Sequence, residues 1–143
     1  MLKKFIGFAV LMVLLMGMVA GCGTKKAETV KIGFIGPLTG GNAAIGIGLK
    51  NSAELAVKQA NESGNYKTKF ELVVADDGGD PSTAVSAANK LIADKGVVAV
   101  FGHFNSGAAL ATVPIFHKNG MPILVTAAIH PDITKGQFKE VTR

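Results

Sequence analysis

His103 and Ser106 stand three residues apart in the stretch GHFNSG, Gly102 to Gly107. A histidine near a serine raises the chemistry of an activated nucleophile. A nucleophile elbow needs glycines two residues to either side of the serine, and Phe104 and Ala108 stand there instead. A lone histidine at the end of an apolar run reads as structural. The remaining residues suggest a different chemistry. Asn105, Ser106 and Gly107 precede a run of small and apolar residues with helical character. A helix start presents backbone N–H groups without internal partners and the positive end of the helix dipole. With a serine hydroxyl and a glycine that lets a ligand approach, it suits a carboxylate or another anion. Ordinary capping of the helix by Asn105 or Ser106 is the alternative.

Other clusters carry less. Asp76, Asp77 and Asp80 in DDGGDP lack the alternating ligands and closing glutamate of a calcium loop, and read as a solvated turn followed by a helix cap. Neither GPLTGG nor GIGLKN contains G-K-[ST], and Asn51 occupies the third-glycine position of G-x-G-x-x-G. His103, His117 and His130 have no metal-ligand spacing with one another or with the sole cysteine. No cofactor and no metal is expected.

The elements that must position these residues alternate in type. Apolar runs with strand character begin at Val30 (VKIGFI), Phe70 (FELVVA), Val97 (VVAVF) and Ile123 (ILVT). The third is apolar throughout, as for a parallel strand covered on both faces. Between them, Leu49, Ala53, Ala56, Val57 and Ala60 form one helical stripe, with Lys50, Glu54, Lys58 and Asn61 opposite. Ala84, Val85, Ala88, Leu91 and Ile92 form a second, opened by Asp80-Pro81, a capping residue before a proline suited to the first helical position. A third helix, from about Ser106 to Lys118, is apolar nearly all round and should be buried. Pro114 should kink or split it. The order β-α-β-α-β-α-β predicts an α/β fold with a doubly wound parallel sheet, and Phe138 to Arg143 begins a fifth strand. In such a sheet ligands bind beyond the carboxyl ends of the strands. The loops leaving those ends are Gly36 to Gly46, Gly102 to Gly107 and Ala127 to Thr134, with DDGGDP near an edge.

Outside this region the N-terminus stands apart. Lys3 and Lys4 precede an apolar run from Phe5 to Ala20, 16 residues, short for a membrane span of about 20. This reads as a secretory signal peptide over residues 1–21. Val19-Ala20-Gly21-Cys22 resembles the bacterial lipobox, in which the cysteine becomes the first mature residue and carries lipid. An uncleaved anchor helix with an incidental cysteine is the alternative. Residues 22–29 then form a polar, lipidated tether. With one cysteine in the chain no internal disulfide can form. The net charge of +5 has no clustering beyond Lys3-Lys4 and Lys25-Lys26, and a nucleic-acid partner is not expected.

Residues 30–143 resemble the N-terminal lobe of leucine/isoleucine/valine-type solute-binding proteins, the substrate-binding components of branched-chain amino acid ABC transporters. The motifs are G-P-L-T-G after the first strand, D-D-x-x-D-P after the second, G-H-x-x-S-G after the third and A-A-x-x-P-D-I-T after the fourth. The resemblance implies a type I periplasmic-binding-protein fold, here a partial first lobe, with the second lobe absent and the chain truncated. It implies a binding role and no enzymatic activity. The site would be exported, facing the periplasm or cell exterior, and would serve permease and ATPase subunits. The solute would carry a carboxylate, a branched-chain or other apolar amino acid first. Ser106 would give its hydroxyl and N–H to that carboxylate, with Asn105 and Gly107 beside it. Ala127 would offer its carbonyl to the ammonium, in one loop with Ala128 and Ile129. The family often has a threonine at the position of Ile129, and its hydroxyl is missing here. Leu38 to Gly41 would lie near the ligand side chain. A sensing receptor module of the same fold and a non-functional fragment are the alternatives, with an α/β enzyme behind them.

The lipobox gives a direct test. Cys22→Ser is expected to abolish fatty-acid labelling and lipoprotein-type processing. A mutant still labelled and cleaved normally would remove Cys22 as the anchor.

Overall fold

The computed structural model describes residues 28–136 and 138–143. The signal peptide, Cys22 and all but the end of the tether lie outside these residues. The elements are β1 (Thr29–Gly36), α1 (Ala43–Glu62), β2 (Lys69–Asp76), α2 (Pro81–Ala93), β3 (Val97–Gly102), α3 (Ser106–Lys118), β4 (Ile123–Val125), α4 (Asp132–Lys135) and β5 (Val141–Thr142). They alternate as expected, with a fifth strand at the predicted place and one short helix, α4, that the sequence pattern does not announce.

The strands form one sheet in the order β2-β1-β3-β4-β5, and every pair is parallel. Register carries the functional consequence. Gly36 lies opposite Asp76, Ile35 opposite Gly102, and Gly102 opposite Val125. The strands thus end together, and the loops that follow β1, β2, β3 and β4 emerge along one edge.

Alternation sorts side chains between the faces. Ile35, Ala75, Val100, Ile123 and Val125 pack against Ala87, Ala88 and Leu91 of α2 and Ala109, Val113 and Phe116 of α3. This is the main core. On the other face, among the described residues, only α1 covers the sheet, over β1 and β2. A groove of about 380 Å³ remains between Ala53, Ala56, Val57 and Ala60 of α1 and Ile32, Phe70 and Phe101 of the strands. The expectation that β3 is covered on both faces is therefore corrected: Val98 is 53% exposed, and Leu124 of β4 is 50% exposed. Val98 is also an extra residue in the ladder. Lys31 pairs with Val97 and Ile32 with Ala99, so Val98 bulges between them.

Pro114 does not split α3, which runs unbroken from Ser106 to Lys118. Its ring lies on the exposed side, while Val113 and Phe116 are anchored in the core. That burial outweighs the one backbone hydrogen bond that proline removes.

α1 starts six residues before the stripe that predicts it, at Ala43. Its seating depends on Gly46, which is buried against the turn after β1. A Cβ there would stand 1.8 Å from the Pro37 carbonyl oxygen, a backbone atom that cannot swing aside. Gly48, two residues on, has nothing within 4 Å. The two glycines should respond oppositely to alanine. Gly46→Ala is expected to destabilise by about 1–3 kcal/mol or more through overpacking. Gly48→Ala is expected to stabilise by roughly 0.5–1 kcal/mol through helix propensity. Denaturant melts of both variants check this, and equal shifts would refute the close approach at Gly46.

Candidate functional site

The loops at the carboxyl edge are fastened by side chains, and three aspartates do different work. Asp80 caps α2 as its sequence suggests, its Oδ1 accepting from the amides of Ser82 and Thr83 at 2.9 Å each. Asp76 and Asp77 are not the solvated turn expected of them. The Asp76 carboxylate accepts from the Leu38 amide at 2.7 Å, the Thr39 hydroxyl at 2.6 Å and the Gly78 amide at 2.8 Å. It thereby clamps the β1–α1 loop to the β2–α2 loop. Partial burial works against its charge, but the bonds from Thr39, Gly78 and Leu38 outweigh it and hold its pKa below the usual carboxylate value.

Asp77 is fully buried, and its Oδ2 lies 2.7 Å from His103 Nδ1. The other ring nitrogen, Nε2, lies 2.7 Å from the Thr112 hydroxyl on α3. His103 and Thr112 are also fully buried. With the proton on Nδ1, the imidazole donates to the Asp77 carboxylate and accepts the Thr112 hydroxyl, so both nitrogens are satisfied. The backbone carbonyl of His103 accepts from the amides of Ala127 and Ala128 at 3.3 and 3.2 Å. One residue thus ties the β2–α2 loop, α3 and the β4–α4 loop together. The Asp–His–hydroxyl order is that of a proton relay, but none of its three side chains reaches solvent.

Ser106, not His103, faces outward. Its Oγ accepts from the amides of Ile129 at 3.2 Å and His130 at 3.3 Å. Those bonds use the oxygen's lone pairs and leave the hydroxyl proton to donate. Asn105, the residue before α3, makes no side-chain capping bond. Ordinary capping is therefore not what Asn105 or Ser106 does here. Asn105 packs instead against Gly79, whose φ of +71° and missing Cβ make room for the amide. Ser106, Gly107 and Ala108 keep N–H groups with no partner inside the helix, because the first bond of α3 runs from the Ala109 amide to the Asn105 carbonyl. A hydroxyl and a helix start converge at an open edge, which is an arrangement for holding an anion.

Comparison with known proteins agrees. The model of the periplasmic binding protein family matches residues 29–139. The chain belongs to the periplasmic binding protein family. It is 39% identical over 127 residues to Leu/Ile/Val-binding protein homolog 2 of Brucella abortus, covering 88% of this chain and 34% of that one. Among solved structures it is similar to the branched-chain amino acid transporter substrate-binding protein LivJ of Streptococcus pneumoniae in complex with isoleucine, with TM-score 0.74, 32% identity, and coverage of 80% of this chain and 33% of that one. It is similar also to a solute-binding protein of an ABC transporter from Rhodopseudomonas palustris in complex with 3,4-dihydroxybenzoic acid, with TM-score 0.69, 30% identity, and coverage of 79% and 31%. The chain spans about a third of the length of these relatives. Its sheet is a partial first lobe of the type I periplasmic-binding-protein fold.

In this periplasmic binding protein the predicted site residues gather at one edge. Asn105, Ser106 and Gly107 open α3, and Ser106 bonds the loop that carries Ala127, Ala128 and Ile129. Ala128 turns its methyl into the core, so only its main chain borders the edge. Ile129 is 83% exposed. Leu38 and Thr39 reach the same edge through Asp76. Among the described residues no group of three or more His, Cys, Asp or Glu side chains is placed to hold a metal, and no helix is long and apolar enough to cross a membrane. Residue-by-residue reading misses Asp76, Asp77 and Thr112. The D-D-x-x-D-P motif marks the two aspartates, but nothing local marks Thr112 as the partner of His103.

The buried relay predicts an order of stability losses. His103→Ala leaves the Asp77 carboxylate buried with the Gly79 amide as its remaining partner, at a cost of about 3–5 kcal/mol. Thr112→Val keeps the shape and leaves only Nε2 without a partner, at about 1–3 kcal/mol. Urea titrations of both variants measure this, and a His103→Ala variant as stable as the parent would show that the network bears no load.

Proposed function

We propose that this chain forms one wall of the extracytoplasmic solute-binding component of an ABC importer, and that it holds a small apolar solute by its carboxylate. The observation that carries this is the Ser106 hydroxyl. Two backbone amides fix its oxygen, and its proton is left to donate beside the free N–H groups of α3. Relatives named for leucine, isoleucine and valine support those solutes first, and the neighbour in complex with 3,4-dihydroxybenzoic acid supports an aromatic carboxylate as well. Carboxylate is the group these ligands share.

The reading is one of binding without chemical conversion. The side chains that resemble a proton relay are sealed in the interior, and among the described residues the serine hydroxyl bonds backbone amides rather than a basic side chain. Permease and ATPase subunits are the partners. Residues 1–21 act as the export signal, Cys22 as the lipid anchor on the outer face of the cell membrane, and residues 22–29 as the tether. The rest of the relatives' length, which this chain does not span, would supply the wall facing this one.

Titrating the full chain with leucine while following its amide resonances tests the site. A single open wall should bind in the millimolar range, and the shifts should centre on Gly107, Ala108 and Ile129. Ser106→Ala removes one hydrogen bond to a charged group, worth roughly 1.5–3 kcal/mol when dry and less in an open site. The expected loss is about tenfold in affinity. Unchanged affinity in the variant would exclude Ser106 from the site.

A further inference from the structure

Arg143 reaches the carboxyl edge of the sheet through β5. That strand pairs Val141 with Ile123 and Thr142 with Leu124, so the register carries Arg143 to the level of Val125. Glu140, just before the strand, is fixed twice. Its carboxylate accepts from His117 at the end of α3, and its carbonyl accepts from the Ile123 amide at 2.8 Å. From this position Arg143 Nη1 donates to the carbonyls of Ile129 at 2.8 Å and His130 at 3.0 Å. These are the two residues whose amides bond Ser106 Oγ, at 3.2 and 3.3 Å.

One peptide group belongs to both sets. The Ile129 carbonyl and the His130 N–H are the two ends of a single trans amide, and in a trans amide they point in opposite directions. Arg143 therefore holds one side of this peptide and Ser106 the other. A cation on the carbonyl oxygen draws electron density along the amide and makes its N–H a stronger donor. A hydroxyl oxygen that accepts a stronger bond donates its own proton more strongly in turn. The path from guanidinium through peptide to hydroxyl ends on the proton that Ser106 keeps free. We propose that Arg143 is a positioning residue for the anion site, its charge passing through the Ile129–His130 peptide to strengthen the Ser106 hydroxyl as a donor. The proposal rests on the reading of Ser106 as a carboxylate donor and adds to it a residue that does not itself touch the solute.

Two variants separate charge from simple pinning of the loop. Arg143→Gln keeps a side-chain N–H donor and removes the charge, whereas Arg143→Lys keeps the charge. The side chain is exposed, so neither puts the fold at stake. The first readout needs no solute: the resonance of the His130 amide proton in the full chain. It is expected to move upfield in Arg143→Gln and to stay near its parent position in Arg143→Lys. A His130 amide unmoved by Arg143→Gln overturns the path. The second readout is leucine, titrated into the full chain and followed at the Gly107 and Ala108 amides. A change of about 10–30% per bond, applied to a hydrogen bond to a charged group, predicts about two- to fourfold weaker binding in Arg143→Gln. Arg143→Lys is expected to bind as the parent does. In a Ser106→Ala background Arg143→Gln is expected to cost nothing further, because the path is already cut. No loss in Arg143→Gln, an equal loss in Arg143→Lys, or a loss that persists in the Ser106→Ala background overturns the role of Arg143 and leaves the carboxylate site standing. If leucine moves neither amide in the parent chain, the carboxylate site falls and the role of Arg143 with it.

Discussion

The site depends on one buried contact, His103 between Asp77 and Thr112. Loops carry few apolar side chains and cannot be fixed by core packing alone. Three of them must nonetheless be held to hydrogen-bonding tolerance for Ser106 to meet the amides of Ile129 and His130. A buried polar network does this only when each member is satisfied, because in a medium of low polarity an unpaired group costs more than a paired one returns. The imidazole meets that condition. It has two ring nitrogens pointing in different directions, one for an acid on the β2–α2 loop and one for a hydroxyl on α3. Its own carbonyl then receives two amides of the β4–α4 loop.

Holding loops in this way uses the acids of the edge. Asp76, Asp77 and Asp80 lie at the carboxyl ends of the strands, where a binding protein could place them against a cationic ligand. All three are committed to amides, hydroxyls or an imidazole of their own chain. Among the described residues the Ser106 hydroxyl and the first amides of α3 are left to donate at this edge.

The alternation of elements, the cap at Asp80 and the edge on which the site lies were legible because each is written locally, in an apolar period, a capping pair or a strand end. The helix start at Ser106 was legible for the same reason, beside a glycine. What was not legible is long-range. Thr112 lies nine residues beyond His103 on a helix that is apolar nearly all round, and nothing nearby marks its hydroxyl as occupied. Asp76 and Asp77 sit among glycines in a segment with the composition of a solvated turn, and only the register of β1 with β2 brings Leu38 and Thr39 within reach. Pro114 misled in the opposite direction. Its helix-breaking tendency is local, and the burial of Val113 and Phe116 that overrides it is tertiary.

The same chemistry also explains why His103 and Ser106 resemble a catalytic pair without forming one. An acid, an imidazole and a hydroxyl in line, at 2.7 Å and 2.7 Å, is the geometry that elsewhere activates a nucleophile. Activation requires that the hydroxyl meet a substrate and that the proton have somewhere to go. Here the hydroxyl belongs to Thr112, which faces the core and also lies 3.0 Å from the Ala108 carbonyl of its own helix. Ser106, three residues from the histidine in sequence, turns the other way and takes its partners from the backbone of the next loop. Accessibility, not residue identity, separates the two roles. The sealed relay fixes the loops, and the half-buried serine keeps its hydroxyl proton free to donate.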